Sequence, residues 1–321
     1  MYAQHPYGHL SIGNDAALRR LTLGDVASFH AATFCPSRTT LVVTGALSHD
    51  ELLRAAAPFG DWADASPEEP QRRAALSGFA EGSGETRQSS QSERRRFGAV
   101  DQAAADIEPS GMPALRLAIV PREAAAQSEL RIGHLSARRN TPDYAALLVM
   151  NALLGGQFVS RINLKLREEK GYTYGARTGF DWRRGVSPFV MSASVHTAAT
   201  ADAIADSVAE IGGIRGSRPP GDEELALAKA SLTRGYPRNF ETAQQVARSV
   251  SQLALHDLPD SYFAEFVPKV NAIGRDEVTR AAERYLDPAK LTTLIVGDHT
   301  AIADSLATLE LGDPSLLPID L

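Results

Sequence analysis

Apolar positions in this chain fall into two patterned stretches separated by one that has almost no pattern. In the first stretch the spacing predicts a helix from Thr22 that carries Val26, Phe29 and Phe34. Asp25 stands three residues after Thr22 as an imperfect capping box. The helix must end before Pro36, because the residue ahead of a proline is pushed out of the helical region. Thr39 to Val43 reads as a buried strand. Ser48 and Glu51 form a capping box for a second helix through Leu52, Leu53 and Ala57, closed by Gly60. Between Ser66 and Pro113 the only Leu, Ile or Val residues are Leu76, Val100 and Ile107. Ser, Gln, Gly and Arg fill the rest, which is the composition of a linker, with Arg94-Arg95-Arg96 as a solvated charge cluster.

Pattern resumes at Ala114. Leu115 to Val120 and Ser128 to Leu135 read as strands. A helix begins at Thr141-Pro142-Asp143 and runs to about Leu154, and another runs from about Val159 to Lys170, where Gly171 stops it. Gly155-Gly156 between them reads as a tight interhelical turn. Tyr172 to Phe180 and Phe189 to His196 form a hairpin around Arg183-Arg184-Gly185. Helices follow near 201–214, 222–234, 242–255 and 259–270, then a closing helix, strand and helix. The closing unit repeats the opening one at a constant offset of 252 residues, Val26 to Val278, Pro36 to Pro288 and Gly45 to Gly297. Agreement in two spacings and in element order points to a duplicated domain. The second copy runs from Ala114 to Val278 before this unit, whereas the first has only Met1 to Asp25. The expected architecture is therefore α/β, an α+β two-layer fold in duplicate with a mixed sheet and helices, its first copy truncated. Residues 1–65 are expected to be the remnant, 66–113 a flexible linker and 114–321 the second, fuller domain.

Composition narrows the chemistry. The 321 residues allow about two domains, and a hydrophobic share of 43% excludes wholesale disorder. The single cysteine, Cys35, excludes an internal disulfide framework and a cysteine-cluster metal site. A net charge of −6 argues against a nucleic-acid binder. The longest apolar run, Ala145 to Met150, is too short for membrane insertion, and Met1 to Gly13 shows no export signal. The eight histidines contain neither H-E-x-x-H nor its inverted form H-x-x-E-H. His5 and His9 are four apart, but Pro6 and Gly8 deny them a helix, so the stretch reads as a surface turn. No G-x-S-x-G elbow, Walker loop or G-x-G-x-x-G fingerprint is present.

One stretch is specific. Asn151-Ala152-Leu153-Leu154-Gly155-Gly156-Gln157-Phe158-Val159-Ser160-Arg161, followed by Leu166-Arg167-Glu168-Glu169-Lys170-Gly171-Tyr172-Thr173-Tyr174-Gly175, resembles the C-terminal half of insulinase/pitrilysin-family zinc peptidases of the shorter bacterial and processing-peptidase type. His5-Pro6-Tyr7-Gly8 resembles a landmark late in that family's N-terminal domain. The resemblance implies two homologous domains facing across a chamber, the first carrying zinc on an H-x-x-E-H helix that this sequence lacks. It implies that Arg167 and Tyr174 reach a bound peptide from the second domain. A cationic and a neutral donor suit an oxyanion. No cofactor is expected in this chain. Zinc is expected in a missing domain or a partner, and the expected partners are a peptide substrate and a zinc-bearing homologous subunit. Three alternatives stand beside one another: a non-catalytic subunit lending Arg167 and Tyr174, a scaffold without a peptidase role, and a shortened gene model of an active zinc peptidase. Family resemblance favours an exported or periplasmic location.

Overall fold

A computed structural model describes residues 1–2, 5–8, 11–36, 39–59 and 116–318. Contacts divide the chain into two units, Met1–Gly8 with Ile107–Leu321, and His9–Asp106. Residues 66–113, the expected linker, lie outside the described residues.

The described part of the smaller unit contains α1 (Asp15–Leu18), α2 (Leu23–Thr33) and α3 (His49–Ala56). The box at Thr22 is complete: its hydroxyl accepts the Asp25 N–H at 3.2 Å, and the Asp25 carboxylate accepts the Thr22 N–H at 2.8 Å. The Thr22 hydroxyl, donating to the Asp25 carboxylate at 2.7 Å, and the Thr22 N–H hold that carboxyl below its ordinary pKa. Ser48 and Glu51 make the same exchange ahead of α3. The strand expected at Thr39–Val43 does not form: residues 39–44 have no regular secondary structure, and Leu41 and Val43 are exposed. A strand is held by its neighbours, and no described residue pairs with this one. In the larger unit the sequence-equivalent strand lies between two others, so hydrogen exchange should separate the two by orders of magnitude. Leu294–Val296 should exchange only on global unfolding and Leu41–Val43 within minutes. Equal protection would show that the first segment is packed after all.

The larger unit is built on one six-stranded sheet. Its strands are β1 (Leu117–Pro121), β2 (Gln127–Arg138), β3 (Thr173–Phe180), β4 (Val186–His196), β5 (Thr292–Gly297) and β6 (Ser315–Leu316), in the order β3-β4-β2-β5-β1-β6. β5 runs parallel to β1 and antiparallel to β2, which makes the sheet mixed. Side chains alternate along β2: Ser128, Leu130 and Ile132 are buried, while Gln127, Glu129 and Arg131 are exposed. One face of the sheet thus packs on the core and the other is open.

The core is closed by α4 (Tyr144–Asn151), α5 (Arg161–Asn163), α6 (Thr200–Gly213), α7 (Asp222–Arg234), α8 (Ala243–His256), α9 (Tyr262–Ala272), α10 (Arg275–Tyr285) and α11 (His299–Ala307). α4 continues as a wider π-helical turn over Ala152–Gly156, and α5 as another over Leu164–Glu169. The run Tyr144–Glu169 is long and apolar enough to cross a membrane. However, Leu147, Met150, Leu154, Ile162 and Leu166 are fully buried, which places both helical pieces of this run in the core.

Two expectations change here. Gly155-Gly156 is not the interhelical turn; both glycines close the π-helical turn after α4, and the chain reverses over 157–160. Their role is close approach. A Cβ on Gly155 would lie 2.6 Å from the Thr178 backbone nitrogen of β3, and one on Gly156 would lie 2.9 Å from the Asn151 carbonyl oxygen. The His5–Gly8 turn is not a surface turn either. Tyr2 and His5 are buried, and the Tyr2 hydroxyl donates to the Val186 carbonyl of β4 at 2.6 Å. The Arg183 guanidinium sits over the Tyr2 and Tyr7 rings at 5.2 and 4.9 Å. Clustered rings carry enough apolar area to anchor an otherwise irregular segment. Burial pushes the Tyr2 phenol up to about 12.

Candidate functional site

Arg167 and Tyr174 flank Gly171, whose φ of +65° turns the chain from the helix into β3. The Gly171 N–H donates to the Arg167 carbonyl at 3.1 Å. Arg167 lies in the second π-helical turn, where the widened spiral displaces side chains from ordinary helical spacing. Its guanidinium covers the Phe158 ring at 4.2 Å and approaches Glu168 at 3.5 Å, with the side chain 33% exposed.

Tyr174 stands on a β-bulge. Thr173 pairs with Val195, but the next pair is Ala176 with Ala193, so one extra residue bows out of β3. The Thr173 hydroxyl closes the bulge, donating to the Ser194 carbonyl at 2.6 Å and accepting the Gly175 N–H at 3.1 Å. The Tyr174 side chain projects outward and is 89% exposed. Bulges commonly re-aim a side chain in this way beside a site.

Sequence reading missed the residues that hold this geometry. Asn163 is buried, donates to the Phe158 carbonyl at 2.6 Å and accepts the Ala176 N–H at 2.9 Å. It therefore ties the turn beneath Arg167 to the bulge that carries Tyr174. Asn151 accepts the Thr178 hydroxyl at 2.8 Å, two strand residues further on. The one visible signal was an amide on the apolar side of a helix, where asparagine is a poor helix former. Arg161, by contrast, is structural. It forks onto Glu224 at 2.8 and 2.7 Å and donates to the Arg218 and Pro219 carbonyls. Its hydrogen bonds hold the Glu224 carboxyl below its ordinary value.

A shallow groove of about 470 Å³ lies beside the bulge, lined by Glu129, Arg131, Phe158, Asn163, Gly175, Arg177 and Ser194 among others. Its floor is the open face of the sheet. Glu129 stands opposite Ser194, and Arg131 and Arg177 both stand opposite Ser192. The Ser194 hydroxyl donates to Glu129. The Arg131 and Arg177 guanidinium groups and the Ser192 hydroxyl offer donors to carbonyl or carboxylate oxygens in an extended ligand.

Among the described residues, no three His, Cys, Asp or Glu side chains gather as a metal would need. Both His134 nitrogens are engaged. Nε2 accepts the Asp287 N–H at 3.1 Å, so Nδ1 carries the proton and donates to the Leu135 carbonyl at 2.7 Å. Burial lowers the His134 pKa and keeps the ring neutral. These residues do not fit a zinc site.

The larger unit is thus a mixed α/β domain with a double-glycine helix end and a bulged hairpin that sets Arg167 and Tyr174 on either side of Gly171. The sequence profile described as the peptidase M16 inactive domain matches residues 20–232, and the chain belongs to that family, in agreement with the insulinase-type resemblance. No curated protein sequence matches the chain. Among solved structures it is similar to a peptidase M16 inactive domain from Pseudomonas fluorescens (21% identity, TM-score 0.73), covering 92% of this chain and 63% of that one. A protease from Helicobacter pylori matches at 15% identity and TM-score 0.66, over 89% of this chain and 61% of that one. Complex III2 from Candida albicans, with Inz-5 bound, contains a chain matched at 14% identity and TM-score 0.68, over 95% of this chain and 68% of that one. At these identities the likeness is one of fold. This chain spans less than two thirds of the length of the first two.

Proposed function

We propose that this chain is the non-catalytic half of an M16-type peptide-processing assembly. It presents Arg167 and Tyr174 to a peptide whose scissile bond is attacked on a zinc-bearing homologous domain or subunit. The observation that carries this reading is the bulge. A tyrosine side chain left 89% exposed on a bulge that the Thr173 hydroxyl and the buried Asn163 amide hold in place, beside a groove lined by two guanidinium groups, has no packing role. The chain alone should hold no stoichiometric zinc after dialysis and should not cleave fluorogenic peptides. Mixed with a zinc-bearing M16 subunit that is inactive by itself, it should restore chelator-sensitive cleavage. Zinc-dependent cleavage by the chain alone would overturn the proposal.

A scaffold role is the second reading, and α2 favours it. No side chain of α2 is buried; Leu23 is 85% and Phe29 63% exposed. Apolar side chains displayed on a capped helix suit a protein contact. Complex formation without restored activity would favour this reading.

A further inference from the structure

We propose that the larger unit binds a small planar aromatic carboxylate in a cavity of about 530 Å³ that lies between α4, α7, α8 and α9, on Arg139. Arg139 is buried and, among the described residues, forms no ion pair. Its guanidinium lies 3.5 Å from the Tyr144 ring centroid and 5.1 Å from that of Tyr262, and it donates to the Tyr262 hydroxyl at 2.8 Å. These partners are neutral. A guanidinium stays charged throughout the working pH range, and a buried charge without a counter-ion is costly.

Two more polar atoms in the same lining, the Tyr236 hydroxyl and His256 Nδ1, have no hydrogen-bond partner among the described residues. His256 is 7% exposed, so bulk water does not readily serve it. Burial, with the Arg139 and Arg184 charges, pushes its pKa down to about 4, so at neutral pH it adds no second cation. The lining contains no Asp or Glu. Within the lining, one fixed cation and two groups able to donate therefore stand together where no acid of the lining answers them. That is the chemistry of a carboxylate acceptor.

The walls specify the rest of the ligand. Tyr236 stacks on Phe266 at 4.2 Å, and Trp182 meets Tyr144 at 4.9 Å. A cavity lined by this many aromatic rings favours an aromatic ligand. The volume lies in the usual range for small-molecule sites.

The test uses 2-naphthoate against its neutral analogue 2-naphthylmethanol on the full chain. A Trp62→Phe background leaves Trp182, which lines the cavity, as the only indole reporter. Saturable quenching by 2-naphthoate is expected, matched by calorimetry, with affinity at least about tenfold above that of the alcohol, or about 1.4 kcal/mol. Arg139→Gln should erase this preference. The comparison of the two probes on the unaltered residues of the cavity stands even where that variant fails to fold. Equal affinity for the two probes, or no binding of either at millimolar concentration, overturns the proposal.

Discussion

In an assembly with a zinc-bearing M16 subunit, Arg167→Ala should lower kcat/KM by about 10²–10³-fold, the usual cost of losing one oxyanion donor. Tyr174→Phe should cost less, because it removes one neutral donor and leaves the charge. Neither change should unfold the domain. Arg167 covers a phenylalanine that is itself exposed, worth about 0.5–1 kcal/mol, and its contact with Glu168 is half open to water. Tyr174 buries almost nothing. For a unit of this size each kcal/mol moves Tm by about 2–4 °C, so a shift of a few degrees at most is expected. A packing role predicts the reverse: lowered Tm and unchanged activity per folded molecule. Measuring both quantities on the same two variants decides between them.

Gly155→Val should destabilise the larger unit by about 3 kcal/mol or more, lowering Tm by roughly 6–12 °C. Two effects compete at this position. A glycine in a helix costs about 1 kcal/mol relative to alanine, so on propensity any side chain should help. Against this stands the Thr178 backbone nitrogen, 2.6 Å from the Cβ that would be added, with the Thr178 side chain equally close. Backbone of a paired strand cannot swing aside as a flexible side chain can. Helix and strand must separate, which would also strain the Asn151–Thr178 bond and leave Asn163 out of reach of the bulge. Gly171 provides the contrast. An added Cβ there meets nothing within 4 Å, so Gly171→Ala carries only the cost of a left-handed residue, about 1–2 kcal/mol. Equal Tm values for the two variants would show that the close approach at Gly155 is not what holds β3 on the helix.

The contrast between these glycines shows what the sequence made legible. Gly171 stops a helix, which is a local event, and the residue type with its position predicts it. Gly155 answers to a strand more than twenty residues away, and nothing local distinguishes that from a turn. The same division runs through the fold. Both capping boxes, the helix at Asp222–Arg234 and the hairpin of β3 and β4 follow from patterns a few residues long. The strand expected at Thr39–Val43 fails because five apolar or β-branched residues specify an extended chain but not its partner. At the site, Arg167 and Tyr174 came from resemblance to a family, since an arginine near a helix end and a tyrosine in a strand are common in any domain. Asn163 is visible only once its two bonds are seen. The aromatic cavity draws Tyr144, Trp182, Tyr236 and Tyr262 from four separate segments, a convergence no single window of sequence contains.

The strand order sets a timetable for the growing chain. β1 pairs only with β5 and β6, the last strands to be made. A ribosome adding about 5–20 residues per second takes roughly ten to thirty seconds to go from Leu117 to Thr292. During that interval the three antiparallel strands can zip together, but β2 keeps one edge bare and β1 has no strand to join. The sheet is completed from its middle, when β5 slides between β1 and β2. The nascent domain thus exposes its most apolar strand to chaperones, or to neighbouring nascent chains, until translation is nearly finished.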